Sequence, residues 1–340
     1  MEMPPGYQAA LQRAAFLHRK DRRFLEVAGK APGDMLNGIL SGTIPGPMRK
    51  SGADGPEGDA YRSAVLTSRG RMVTDLRIMP HPSGGFLLEV PEQGLPGLRE
   101  HLRRYLPPRL ATARDTDRTL EMLSLVGPEG AGVMRKVLEK EPVDRVSGES
   151  ASEGVALLAH DLFGPLLVLE NRDLDLPVLD LVVEAAALGP VKGALEEAGA
   201  SPMTPQAWEI LRIEAGTPLF GVDMTEKTIP VEAGIHERVI DHRKGCYTGQ
   251  EVIIRIRDRG HVNKSLRRIL LGGAPVPEPG TELFAPEEDR SRGWATSACR
   301  SPRFGQTVAL GYVKGGTEPG QELRLGSPGG PPGRIAALRG

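Results

Sequence analysis

Residues 180–199, DLVVEAAALGPVKGALEEAG, contain an apolar run, a Gly-Pro turn and then an amphipathic segment with helical spacing. The same order of features occurs in EMLSLVGPEGAGVMRKVLEK, residues 121–140, although the similarity is too coarse to call a sequence repeat. A short apolar run bounded by a turn is typical of a buried strand, and the spacing that follows predicts a helix. A strand–turn–helix unit that is used twice favours an α+β fold, in which helices cover mixed sheets.

The chain changes character near residue 264. Before that point, residues 61–79 predict two strands joined by a turn, and the Gly- and Pro-rich residues 41–58 predict a loop. After it, short apolar runs separated by turns predict a small β-barrel. We therefore predict an α+β core over residues 1–264 and a barrel domain over residues 265–340.

The composition is that of a globular protein, with 39% hydrophobic and 26% charged residues. Its 44 acidic and 43 basic residues leave no overall basic charge that would indicate direct nucleic-acid binding. Two cysteines, Cys246 and Cys299, cannot form a disulfide framework, which indicates a reducing compartment. The N-terminal residues lack a signal-peptide pattern, and no apolar stretch approaches the length of a membrane span, so we expect a cytoplasmic protein.

The segment KGCYTGQE, residues 244–251, has the pattern of a helix N-terminus. Thr248, followed three residues later by Glu251, predicts a capping box, and apolar residues follow at helical spacing. The helix is expected to begin at or just before Gln250, and Glu251 has the favourable order for an ion pair with Arg255. The cysteine of the segment then lies just outside a helix N-terminus, where exposed N–H groups favour an anion.

Cys246 has two interpretations. The helix N-terminus, together with His242, Arg243 and Lys244, favours a partly ionised and accessible thiol. The alternative is a small apolar residue in a tight turn, which is the commoner role of a lone cysteine. Chemistry alone leaves both open, because a catalytic thiol also needs a base that the sequence does not identify. A metal site shared with His242 would need a continuous helix, which Gly245 contradicts.

A second candidate site lies upstream in PQAWEILRIEAGTPLFGVDM, residues 205–224. Helical spacing over residues 205–214, followed by Gly216, predicts a helix with Glu214 at its C-terminus, where a carboxylate is unfavourable. A heterocycle with adjacent N–H donors would suit Glu214, because an ionised carboxylate accepts two such hydrogen bonds. The alternative, which the residues alone favour, is an ion pair with Arg212 or another arginine.

These segments together resemble the glycine-cleavage T-protein superfamily. WEILRIEAGTPLFGVDM is similar to its R-x-E-x-G-x-P-x-x-G segment, and KGCYTGQE is similar to the hallmark of its YgfZ-type folate-binding branch. VLTSRGRMVTDLRIM looks like the family's hairpin, and SPRFGQTVALGYV like the closing strands of its barrel. The resemblance covers residues 22 to 325. It implies a T-protein-like arrangement of two mixed α/β subdomains plus a small C-terminal β-barrel around a central folate channel.

The resemblance also implies roles for individual residues. Tetrahydrofolate or a one-carbon derivative would occupy the channel, with Glu214 at the pterin edge and with Arg212 and Asp75 as further contacts. Around the opening of the channel it implies a second group: Cys246 and Lys244 as candidate catalytic residues, and Tyr247, Gln250 and Arg255 as cofactor contacts.

The function implied by the YgfZ-type branch is support of iron–sulfur cluster assembly or repair, and thereby of tRNA modification. Its partners would be folate and iron–sulfur client or assembly proteins. The alternative function is that of a tetrahydrofolate-dependent aminomethyltransferase of the glycine-cleavage type. Aminomethyltransferases carry an acidic pair in the hairpin where this chain has Thr74 and Asp75, which weakens that alternative. A folate-binding regulatory module without chemistry is a third hypothesis.

Overall fold

The computed structural model of the chain describes residues 3–51, 55–116, 118–138, 152–260, 262–315 and 318–338. Within these ranges there are eight α-helices and eighteen strands. The strands form one long mixed sheet and one closed barrel. The predicted α+β class with a small barrel at the C-terminal end is confirmed. No helix in the same ranges has the length and apolar character needed to cross a membrane.

The long sheet consists of two six-stranded halves. Its strands are β1 (Ala15–His18), β2 (Arg22–Gly29), β3 (Arg49–Ser51), β4 (Gly55–Leu66), β5 (Met72–Pro80), β6 (Phe86–Pro91), β7 (Ala111–Asp115), β8 (Leu120–Val126), β9 (Ser152–His160), β10 (Gly164–Asn171), β11 (Val178–Glu184) and β12 (Ser201–Pro202). They run in the order β12-β1-β8-β11-β10-β9-β4-β5-β6-β2-β7, and β3 pairs with β4. The antiparallel pair β4–β9 joins the halves. Because β1 and β2 are consecutive in the chain but belong to different halves, the halves are interleaved.

Helices cover both halves of the sheet. They are α1 (Tyr7–Gln12), α2 (Pro32–Ile39), α3 (Leu95–Tyr105), α4 (Gly130–Leu138), α5 (Leu188–Glu197), α6 (Pro205–Glu214), α7 (His236–Val239) and α8 (Gln250–Arg259), with 3₁₀ turns at Glu92–Gly94 and Ala185–Ala187. As predicted, α4 follows β8 and α5 follows β11, and they bury Met134 and Leu195 in one hydrophobic cluster. Residues 139 and 140, the end of the predicted first helix, lie outside the described residues.

The barrel has six strands, namely β13 (Lys264–Leu270), β14 (Glu282–Phe284), β15 (Ser291–Ser301), β16 (Gln306–Lys314), β17 (Glu322–Leu325) and β18 (Pro332–Ala336). It closes in the order β13-β16-β15-β14-β17-β18, because β18 pairs with β13 as well as with β17. Ile269, Leu283 and Val313 are buried in its interior. Leu310 and Tyr312 of β16 instead share a hydrophobic cluster with α6, which holds the barrel against the rest of the chain.

The prediction of a loop over residues 41–58 was wrong at its C-terminal end. Strand β3 and the first residues of β4 lie within it and pair with each other. Gly55 and Pro56 pair with β3, and from Glu57 onward β4 also pairs with β9, so contacts between distant strands outweigh the local preference for a turn.

Candidate functional site

A small polar cavity lies where the two halves of the sheet meet α6 and α7. Its volume is about 50 Å³, room for a few water molecules. The charged side chains of its wall are Arg19, Arg22, Arg62, Arg212, Arg238, Asp75 and Asp173. Cations therefore outnumber anions on the wall, and the state of the two carboxyl groups decides what the cavity can bind.

Next to this cavity, a buried ionic network joins the two halves of the sheet. Arg77, which is 0% exposed, donates hydrogen bonds to Glu89 at 2.8 Å, to Glu153 at 3.1 Å and to Asp180 at 2.7 Å. These four residues lie on four different strands. Burial opposes ionisation of Glu89, but Arg22 and Arg77 outweigh it and lower its pKa to about 2.

Asp173 connects that network to the cavity. It accepts hydrogen bonds from Arg62 at 3.1 Å and from Arg238 at 2.9 Å, and Arg62 also donates to Glu153 at 3.1 Å. Burial would raise the pKa of Asp173, but the two arginines hold it well below its usual value. Asp173 is therefore an ionised structural partner rather than a proton donor.

Asp75 is the carboxyl group of the cavity with spare hydrogen-bonding capacity. Its Oδ1 atom is buried and has no hydrogen-bond partner. Burial raises the pKa of Asp75, although Arg22 and Arg62 act in the opposite direction. A carboxyl group with a perturbed pKa and an unsatisfied oxygen in a cavity is a candidate for ligand binding or proton transfer.

Arg212 also reaches the cavity wall, but its donors are engaged within the chain. It donates to Asp223 at 2.6 Å, to Ser297 of the barrel at 3.2 Å and to Glu209 at 2.8 Å. Arg212 therefore shapes the wall and links α6 to β15.

Glu214 ends α6 as predicted, but its carboxylate does not line the cavity. The Tyr7 hydroxyl donates to its two oxygens at 2.8 and 2.9 Å, and the Ser301 hydroxyl and the Arg303 N–H also donate to it. It forms no ion pair with Arg212, whose described partners are other carboxylates. Because α1 and β15 cover this end of α6, the carboxylate holds these elements together. Its predicted contact with the edge of a pterin stays a prediction, and the carboxylate already accepts these hydrogen bonds from the chain itself.

Lys244 of the cysteine motif fixes the loop that follows α2. Its ammonium group donates to the carbonyl oxygens of Leu40 and Gly42, both at 2.7 Å, and its burial lowers its pKa to about 8. Tyr247 is buried as well, and burial raises its pKa to about 12. Lys244 therefore has a structural role, since two of its three donors hold the loop after α2, and its catalytic role stays a prediction.

The predicted capping box is wrong. The N-cap of α8 is Gly249, with φ of 85°, and the Thr248 side chain makes no capping hydrogen bond. The Thr248 N–H donates instead to the carbonyl oxygen of Gly38 at 3.2 Å. A glycine is required because a Cβ at position 249 would lie 2.5 Å from the carbonyl oxygen of Thr67 in the β4–β5 hairpin.

The other motif residues lie outside the cavity. Helix α8 begins at Gln250, as predicted, and the predicted pair is confirmed, because Arg255 donates to Glu251 at 2.8 Å on the helix surface. Cys246 is exposed. Tyr247 belongs to the same hydrophobic cluster as Met224, which lines the cavity. None of the motif residues is among those that line the cavity, so the cavity wall includes Asp75 and Arg212 but not the second group of predicted site residues.

Replacing Lys244 with methionine is expected to lower the free energy of unfolding by about 1–3 kcal/mol, because the carbonyl oxygens of Leu40 and Gly42 lose their partner. Urea denaturation measures the change. Lys227→Met is a matched control, since Lys227 is exposed. Equal free energies of unfolding for the two variants would contradict the stabilising role of Lys244.

Sequence reasoning did not identify most of the charged wall of the cavity. Arg62 of the wall lies in the strand run AYRSAVL at 60–66, and Arg77 of the neighbouring network lies in DLRIM at 75–79, both of them largely apolar runs. A charged residue in an otherwise buried strand usually has a buried partner, and this signal could have been used.

The interleaved sheet and the closed barrel together form the fold of a glycine cleavage system aminomethyltransferase. The chain superposes on glycine cleavage system aminomethyltransferase T from Bartonella henselae with a TM-score of 0.80 and 17% sequence identity, over 98% of this chain and 88% of that one. Residues 264–336 match the glycine cleavage T-protein C-terminal barrel domain.

Sequence relatives agree with the fold. An aminomethyltransferase of Rubrobacter xylanophilus is 29% identical over 271 residues, which are 79% of this chain and 70% of that protein. A mitochondrial iron–sulfur cluster assembly factor, the IBA57 homolog of Neurospora crassa, is 25% identical over 334 residues, which are 92% of this chain and 67% of that protein. The barrel thus matches the T-protein family, and the chain as a whole is similar in sequence and fold to proteins of the glycine-cleavage T-protein superfamily.

Proposed function

We propose that this chain is a tetrahydrofolate-binding protein of the YgfZ type that supports iron–sulfur cluster assembly or repair, and thereby tRNA modification. One observation carries the proposal. Cys246 presents an exposed thiol in the middle of a motif whose other side chains, Lys244 and Tyr247, are used to fix the loop. A cysteine that served only packing would be buried like its neighbour Tyr247.

The similarity to the IBA57 homolog supports this proposal, because it extends over 92% of the chain. The similarity to the aminomethyltransferase of Rubrobacter xylanophilus extends over 79%. For this chain the exposed thiol favours the first function, because aminomethyl transfer to a folate does not call for a surface cysteine.

We further propose that residues 1–264 form the folate-binding core and residues 265–340 the barrel domain. Asp75 is the group proposed to hold a folate ring, because its free oxygen and raised pKa suit the N–H and nitrogen groups of a heterocycle. The cavity, at about 50 Å³, would have to widen to admit the ring. Arg212 would maintain the wall beside it. Bound tetrahydrofolate would supply a carrier for one-carbon units.

Cys246 would act as a nucleophile or as a transient contact for sulfur or a cluster. The second cysteine, Cys299, is buried in β15, and burial raises its pKa to about 12, so Cys246 is the accessible thiol of this chain. Iron–sulfur clusters normally take several thiolates. Any cluster contact therefore requires ligands from an iron–sulfur client or assembly protein.

A tetrahydrofolate-dependent aminomethyltransferase is the second candidate. Two observations favour it: the aminomethyltransferase relative, and a carboxyl group, Asp75, with a raised pKa in the cavity. An assay of aminomethyl transfer to tetrahydrofolate distinguishes the two functions. A protein that only supports iron–sulfur cluster assembly or repair is expected to show no activity in it.

Asp75→Ala is expected to weaken tetrahydrofolate binding about tenfold, because the ring loses its carboxyl partner. Isothermal titration measures the affinity, and Asp161→Ala, at an exposed turn, is the control. Unchanged affinity in a folded Asp75→Ala variant would show that Asp75 does not contact tetrahydrofolate. No binding by the unaltered chain would overturn the folate proposal itself.

A further inference from the structure

A second, open groove lies on the outer face of the molecule, with a volume of about 570 Å³. It is bounded by the tip of the β4–β5 hairpin, by α3 and by the loop before α8. Thr248 lines one end of it. Since Cys246 is two residues away, its Cα atom lies within about 7 Å of Thr248.

Exposed arginines line this groove without carboxylate partners. Arg69 and Arg71 are at the hairpin tip and Arg104 is near the end of α3, and none of them forms an ion pair with a described residue. Glu100 and Glu226 also line the groove, but neither pairs with an arginine of the described chain. The groove therefore offers three guanidinium groups without a carboxylate partner, of which that of Arg104 lies 5.3 Å from the centre of the Tyr105 ring. Such groups suit carboxylates from another molecule.

His101 supplies an independent sign of a ligand. It lines the groove, is 9% exposed, and its Nε2 atom is buried without a hydrogen-bond partner. Its ring lies 4.5 Å from the ring of Tyr105, which is 46% exposed. A buried nitrogen without a partner costs free energy that a bound hydrogen-bonding group would recover.

The arginines of the hairpin tip are presented on a fixed support. Gly70, between them, has φ of 70° and packs against Val252 of α8, where a Cβ would lie 2.9 Å from the valine side chain. The tip is therefore seated on the helix that follows Cys246. A ligand held by Arg69 and Arg71 would have a defined position relative to the thiol.

We propose that this groove binds an acidic segment of a partner protein and holds it beside Cys246. Charge complementarity identifies the occupant. A polypeptide can place carboxylates at Arg69, Arg71 and Arg104 and uncharged residues at Glu100 and Glu226. A nucleic acid carries a charge at every phosphate, which the two glutamates would repel. Docking itself is independent of the proposed function, and only the use of the thiol rests on it.

The test uses fluorescein-labelled twelve-residue peptides, one alternating Glu and Ser and one alternating Gln and Ser, in the absence of folate. Fluorescence anisotropy is expected to show binding of the acidic peptide alone, with affinity that falls as salt is raised. The double variant Arg69→Glu/Arg71→Glu should bind it about tenfold more weakly. The control, Arg290→Glu/Arg334→Glu, makes the same charge change at exposed barrel positions and should bind normally.

Two further measurements localise the peptide. His101→Phe keeps the ring beside Tyr105 but removes the unpaired nitrogen, and should also weaken binding. Saturating acidic peptide should slow alkylation of Cys246 by iodoacetamide severalfold. Equal affinity for the acidic and neutral peptides, equal loss in both double variants, absence of protection, or tighter binding of a single-stranded oligonucleotide would each overturn the proposal. None of these outcomes depends on folate binding.

Discussion

Cells in which Cys246→Ser replaces the natural protein are expected to lose the activity of their dependent iron–sulfur enzymes, to the level of cells that lack the protein. Serine keeps the size of the side chain but cannot supply a thiolate or a sulfur ligand. Because Cys246 is exposed, the free energy of unfolding should change by less than about 0.5 kcal/mol. Tetrahydrofolate affinity should also be unchanged, since Cys246 is not among the residues that line the cavity.

The control for this experiment is Cys299→Ser, which removes the other thiol of the chain from a buried position in β15. It should lower stability but leave the function of the folded protein intact. Normal activity of Cys246→Ser in cells would contradict the proposed role of the thiol. Combined with aminomethyl transfer by the purified protein, that result would favour the transferase alternative.

Arg77→Met is expected to lower the free energy of unfolding by about 3–5 kcal/mol. The substitution leaves Glu89, Glu153 and Asp180 buried without the guanidinium group that joins them. Uncompensated buried carboxylates are costly, and the loss is a large part of the roughly 5–15 kcal/mol that stabilises a typical domain. Urea denaturation followed by circular dichroism measures the change.

Arg255→Met is the matched control, because Arg255 forms an exposed pair with Glu251. Exposed pairs contribute about 0.2–1 kcal/mol, so this variant should differ little from the natural protein. Similar losses in the two variants would show that the buried network does not hold the halves of the sheet together.

Much of the fold could be predicted because local periodicity reports burial. The two strand–turn–helix units, the helix over residues 205–214 and the short runs of the barrel each bury one face, and their apolar spacing records it. The surface pair of Glu251 and Arg255 was predictable for a similar reason, since both partners lie on one helix.

The candidate site was less predictable because its contacts join distant parts of the chain. Lys244 donates to carbonyl groups 204 and 202 residues away, and the hydroxyl of Tyr7 donates to Glu214 across 207 residues. The sequence shows that each side chain has hydrogen-bonding capacity. It does not show which capacity is already satisfied.

By itself, therefore, the sequence determined the class of fold and the segment that carries an unusual cysteine. The tertiary structure decided which residues remain free to react or bind: Asp75 in the cavity and Cys246 on the surface, whereas Glu214 and Lys244 are occupied. The physical reason is that secondary structure follows from neighbouring residues. A polar group becomes available to a ligand only when the folded chain has left it without a partner.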